Sequence, residues 1–171
     1  MQGARASIQD PHEHSVQFYD TETFLADTVA EFLLEGLRDD EAALIVATQA
    51  HRLAFTEALR ANGVDVDSYV AGEQLVMLDA ATTLDAFVVD GVPDATRFEQ
   101  VVGGHVAALA RGGSRHVRAY GEMVDLLWRD GERSAAIALE ELWNEAGSRH
   151  AFSLLCAYVM ANFYKGDDAE S

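Results

Sequence analysis

At 171 residues and 49% hydrophobic content the chain suits one domain with a sizeable core, and its two prolines and thirteen glycines argue against extensive disorder. A net charge of −17 speaks against direct nucleic-acid binding, which needs a basic surface to displace counterions. One cysteine excludes an internal disulfide framework, residues 1–15 lack an apolar signal core, and the run 151–163 is too short to span a bilayer. A soluble cytoplasmic protein, off the membrane, is expected.

The polar ends 1–12 and 166–171 read as flexible tails, leaving 13–165 as one domain. Residues 15–19 form the first expected strand. Asp20 or Thr21 can cap a helix to about Arg38, with Phe24, Leu25, Val29, Phe32, Leu33 and Leu37 along one side. Residues 42–47, AALIVA, are a continuous apolar strand of the parallel-sheet kind. A helix over 49–61 stops at Asn62-Gly63, and 74–78 is a third strand. A short helix over 81–90 is broken by Gly91-Val92-Pro93. Asp94 then caps a longer helix bearing Phe98, Val101, Val102, His105, Val106 and Leu109, ending at Gly112-Gly113. A fourth strand covers 116–120, two helices cover 122–129 and 133–146, and the last strand covers 152–157. Strands alternating with helices imply an α/β fold with a mostly parallel sheet covered on both faces.

Open parallel sheets bind ligands outside the carboxyl ends of their strands. Those ends carry Phe18-Tyr19-Asp20, Thr48, Asp79, Tyr120-Gly121-Glu122 and Cys156-Ala157-Tyr158. The turn after the first strand, FYDTETFL, has no glycine and no Gly-Lys-Ser/Thr, so it cannot cradle phosphates as a Walker A loop does. His12-Glu13-His14 lacks a third metal ligand, and the other histidines, 51, 105, 116 and 150, are scattered into structural or surface roles. Cys156, inside Leu-Leu-Cys-Ala-Tyr, reads as an inert core thiol, and no Gly-x-Ser-x-Gly elbow is present. No catalysis, metal or cofactor is expected.

What remains is a polar constellation: Arg118, Tyr120 and Glu122 on one side of a strand, Glu140 and Asn144 one helical turn apart, and Tyr158. Two readings stay open. One is a lock in which Arg118 pairs with a glutamate to hold helix to strand. The other is a pocket in which Arg118 and Glu122 orient a small molecule, Tyr19, Tyr120 and Tyr158 line it with Trp128 and Trp143, and Glu140 and Asn144 support it. His14, Phe18, Thr48 and Cys156 complete the candidate ligand-binding set.

The segments HSVQFYDTETFL, GLRDDEAALIVATQAHR, LVMLDAATTLDAFVVDG, PDATRFEQVVGG, RAYGEMVDLLW and ALEELWNEAGSRHAFSLLCAYVM occur in the order found in MEDS domains, and the chain resembles that sensory family over residues 14–163. The resemblance implies a three-layer α/β/α fold, a divergent relative of RecA/KaiC-type ATPases with a degenerate nucleotide site. It further implies a non-catalytic sensory role, a small-molecule ligand such as a hydrocarbon derivative, and a separate partner: a histidine kinase, a transcription regulator or an anti-sigma circuit component. Homo-oligomerisation stays open. The alternatives are a ligand-free interaction or dimerisation module and a nucleotide-binding protein without a Walker A motif. Val159 stands where the family commonly has a proline after Cys-Ala-Tyr, which would let the last segment continue as helix or strand.

Overall fold

The computed structural model describes residues 13–161, so the tail readings of 1–12 and 166–171, and His12, lie outside the described residues. Five strands make the main sheet: β1 (Glu13–Tyr19), β2 (Ala42–Ala47), β3 (Leu75–Asp79), β6 (Val117–Gly121) and β7 (Phe152–Val159). They lie in the order β1-β7-β6-β2-β3, and every adjacent pair is parallel. The order explains the sequence pattern. β2 sits inside the sheet with both faces covered, and all six of its residues are buried.

Helices α1 (Glu22–Arg38), α2 (Gln49–Ala61) and α3 (Val66–Ala71) cover one face, where Leu25, Val29, Leu33, Ile45, Phe55, Leu59 and Tyr120 form one core. Helices α4 (Ala80–Phe87), α5 (Ala95–Phe98), α6 (Gly104–Ala110), α7 (Met123–Arg129) and α8 (Arg133–Arg149) cover the other, packing Leu44, Phe98, Leu139, Trp143 and Phe152 into a second core. In α1 the buried Leu25, Val29, Leu33 and Leu37 recur every four residues, and the Thr21 hydroxyl accepts the Phe24 N–H at the start.

Three local readings are corrected. The expected helix over 81–90 ends at Phe87, and Val88–Val89 (β4) pairs with Val92–Pro93 (β5) as a hairpin. Asp90 and Gly91 both take positive φ, 53° and 77°, the two-residue turn that Asp-Gly favours, and two β-branched valines suit the strand better than the helix. The long helix after Asp94 is interrupted by a π-helical stretch at Glu99–Gly103. That extra residue per turn shifts Val101 and His105 to half-buried positions while Val102 and Val106 stay in the core. Helix α3, capped by the Asp65 carboxylate on the Ser68 N–H, lies in a stretch without an expected element. The last strand runs through Val159, where a proline would have ended it, and the Met160 N–H then donates to the Tyr19 carbonyl.

Candidate functional site

Residues 118, 120 and 122 do share one face of β6 and its exit, the face under α1 and α2. At the carboxyl edge the Glu122 carboxylate, almost fully buried, collects three donors. It accepts from the Thr48 N–H at 2.8 Å, the Tyr120 hydroxyl at 2.7 Å and His51 Nδ1–H at 2.7 Å. His51 is placed by Thr48, whose hydroxyl caps α2 by accepting the His51 N–H at 3.3 Å. On its far side His51 Nε2–H donates to Glu22, in the first turn of α1, at 2.5 Å. Both ring nitrogens lie within hydrogen-bond reach of carboxylate oxygens, an arrangement that favours the doubly protonated imidazolium. Phe55 stacks on it at 5.6 Å and Tyr19 meets it edge-on at 6.2 Å.

Burial alone would push His51 down, but the hydrogen bond and charge of Glu122, then those of Glu22, carry its pKa above the ordinary value. Burial likewise works to raise Glu122, and His51, the Thr48 amide and the Tyr120 hydroxyl together hold it below the ordinary value. Tyr120 goes well up, first through burial and then through the charge of Glu122, so it stays a neutral donor.

These directions fix a pH dependence. The raised His51 contributes stability that is full below its ordinary 6.5 and is lost as pH rises through its folded value. The lowered Glu122 contributes stability present above its ordinary 4.5 and lost as pH falls through its folded value. Urea unfolding across pH 5–9 is therefore expected to show an alkaline decline in stability that His51→Gln flattens. An identical decline in that variant would remove His51 as its source.

Beside this network, Tyr19 is also buried by α7. Asp125, itself buried, pairs with Arg129 at 2.8 Å and accepts the Val159 N–H at 3.3 Å, and Arg129 reaches the Tyr19 hydroxyl at 3.4 Å. Outside Tyr19 opens a groove of about 430 Å³, lined by Phe18, Tyr19, Asp20, Thr21, Phe24 and Met160. It lies at the carboxyl end of β1, where an open parallel sheet is expected to receive ligands.

The sheet divides the rest of the candidate set. Arg118 lies at the opposite end of its strand from Glu122, roughly 13 Å along the chain. Its Nε–H donates to Glu41 at 2.9 Å, its Nη1–H donates to the Phe32 carbonyl at 3.0 Å, and Glu35 stands 3.5 Å away. Cys156 and Tyr158 point to the other face, in the core with α7 and α8. There the Tyr158 hydroxyl donates to Glu140 at 2.5 Å, and burial, then Glu140, push the Cys156 thiol up to about 12, which suppresses the reactive thiolate. Asn144 meets His14 Nδ1 at 3.1 Å, away from the carboxyl edge. Trp143 is packed between Phe98 and Phe152, whereas Trp128 lies under Arg133. Arg115, in the turn before β6, donates to the carbonyls of Leu109 and Glu73.

Thus Tyr19, Thr48, Tyr120 and Glu122 meet, Phe18 borders the adjoining groove with its ring packed on Tyr158 at 5.9 Å, and Arg118, Glu140, Asn144, His14 and Cys156 do not join them. Sequence reasoning missed Glu22, His51, Asp125 and Arg129. The available signal for His51 was its place one turn after the Thr48 cap, on the same stripe as Phe55 and Leu59.

The chain is thus a parallel α/β domain whose strand-exit charges close on one another beside a groove at the end of β1. The chain is a member of the MEDS family, the methanogen/methylotroph, DcmR sensory domain, whose model matches residues 13–169. MEDS domains are non-catalytic sensory domains. A comparison with curated proteins finds no match. Among the described residues no helix is long and apolar enough to cross a membrane, and no group of three or more His, Cys, Asp or Glu could hold a metal ion.

Proposed function

We propose that this domain senses a small molecule, a hydrocarbon derivative, in the groove at the end of β1, and passes occupancy to a partner protein through Tyr19. One observation carries the reading: Tyr19 is at once a wall of the groove and the edge-on neighbour of the His51–Glu122 network. A ligand that moves its ring acts on a buried charge network tying α1, α2 and β6 together. In this reading the turn FYDTETFL occupies the place of a lost phosphate loop in a RecA/KaiC-like fold, and residues 13–165 act as one cytoplasmic unit. The output goes to a histidine kinase, a transcription regulator or an anti-sigma circuit component.

Thermal melting against a panel of small alcohols, amines, acids and halogenated hydrocarbons tests this. At least one compound is expected to raise the Tm of the wild-type protein and to lose most of that effect in Phe24→Ala, a substitution at a residue 49% exposed whose loss the fold tolerates. A panel without effect, or equal stabilisation of both proteins, would refute the groove as the site. A second reading, an interaction or dimerisation face, is favoured by Val16 and Phe18, 48% and 44% exposed on the edge strand β1. Sedimentation of a dimer that Val16→Lys dissociates, together with an empty panel, would establish it instead.

A further inference from the structure

We propose that the groove selects a small alkylated ammonium ion, held against the exposed aromatic rings of Phe18 and Phe24 with Asp20 as its counter-charge. This rests on the groove being the sensing site and names the class of ligand it takes.

The lining itself makes the case. Of the six residues bordering the groove, three are aromatic, one is a thioether, one a hydroxyl and one a carboxylate. An aromatic face attracts a cation through its quadrupole, and a methylated ammonium is the cation best suited to rings, because its charge is spread and its hydration weak. Phe18 and Phe24 are 44% and 49% exposed, so each offers part of its π surface at this end of the sheet, Phe18 while its ring also packs on Tyr158 at 5.9 Å. Asp20, also exposed, follows Tyr19 directly and lines the same groove.

The surrounding charge decides the sign of the ligand. Asp20, Glu22, Glu122 and Asp125 are four carboxylates at this edge, set against two cations, the His51 imidazolium and Arg129. Both cations are already engaged by those same carboxylates, so the edge keeps a negative excess of two. The N-terminus of α1, which opens onto the groove, contributes roughly half a positive charge, too little to reverse it. Its Phe24 and Leu25 N–H groups are moreover taken by the Thr21 hydroxyl and carbonyl. A carboxylate or phosphate ligand would therefore meet repulsion from Asp20 and Glu22. A neutral hydrocarbon would gain from the rings but make no use of Asp20, and bare ammonium would keep its water and leave the aromatic walls unfilled. Alkyl groups on a cationic nitrogen satisfy walls and charge together. A net charge of −17 adds a long-range field that draws cations to the whole molecule, and the groove supplies the selectivity within it.

Choline and its neutral carbon isostere 3,3-dimethylbutan-1-ol have the same shape and differ in charge, so calorimetric titration of the full chain with each, at low salt, isolates the cation. Choline is expected to bind about ten-fold tighter than the isostere. Phe24→Ala should reduce choline binding by roughly a factor of five to ten. Asp20→Asn should weaken choline several-fold and leave the isostere unchanged. Melting curves of both variants, which alter exposed side chains, verify that they are folded. Equal binding of the two compounds, with both lost in Phe24→Ala, would overturn the ammonium assignment while leaving the groove as a sensing site. Binding of neither compound at millimolar concentration would also overturn it, and a different compound stabilising wild type but not Phe24→Ala would keep the broader reading.

Discussion

Replacing Glu122 with alanine is expected to remove about 3–5 kcal/mol of folding stability, the largest loss of any polar substitution at the carboxyl edge. The reason is what the side chain leaves behind. Glu122 is 5% exposed, and its removal strands the buried His51 imidazolium, the Thr48 amide and the Tyr120 hydroxyl at once. Urea unfolding measures the loss directly, and in a domain of this size it lowers Tm by roughly 10 °C. Glu122→Gln should fall between the two, because it keeps one acceptor but turns an NH₂ group towards donors. The diagnostic is the double variant. Removing the cation as well, in Glu122→Ala/His51→Leu, should recover part of the loss, since the stranded charge is then gone. Strict additivity, or a Glu122→Ala cost under about 1 kcal/mol, would show that the network is not a coupled unit.

The network also shows what a sequence can and cannot carry. Elements whose ends are written in short-range chemistry were legible: the apolar run of β2, the span 49–61 of α2 and the Asn62-Gly63 stop agree with the fold nearly residue for residue. Period-two alternation correctly placed 118, 120 and 122 on one side of β6. It could not say which helix would lie against them. The pairing of Glu122 with His51 joins residues 71 apart, and that of Arg118 with Glu41 joins residues 77 apart, both decided by strand order. Because β7 sits between β1 and β6, Tyr19 and Glu122 come to one edge although β7 separates their strands. The same alternation sends Cys156 and Tyr158 to the opposite face from Leu155 and Ala157. A run that reads as one constellation along the chain is therefore split by the sheet into two.

Arg118 is the residue for which that split has the largest consequence, and its substitution separates the lock from the site. Arg118→Met keeps the aliphatic stem but removes the guanidinium, leaving Glu41 and the Phe32 carbonyl without their donor. With 17% of its side chain and 18% of Glu41 still exposed, the pair is partly hydrated, so the expected loss is about 2 kcal/mol rather than the full cost of a buried pair. Gly36→Ala should produce a similar loss by another route. A Cβ at position 36 would stand 2.5 Å from Arg118 Cδ and 2.7 Å from its Nε, so the side chain must leave the seat from which it reaches Glu41 and Phe32. If the two substitutions act on the same contact, the Gly36→Ala/Arg118→Met double variant should lose little more than either single variant. Ligand affinity in the groove supplies the second axis. Arg118 grips α1 about thirteen residues, or roughly 20 Å of helix, from the Thr21 cap that borders the groove. Its loss is therefore expected to lower urea stability while leaving the affinity of the folded protein within about two-fold, a change below ~0.5 kcal/mol. Loss of ligand binding at unchanged stability would reverse the assignment and make Arg118 part of the recognition site. Both measurements on one protein decide it, because a lock moves only the first and a ligand contact moves the second.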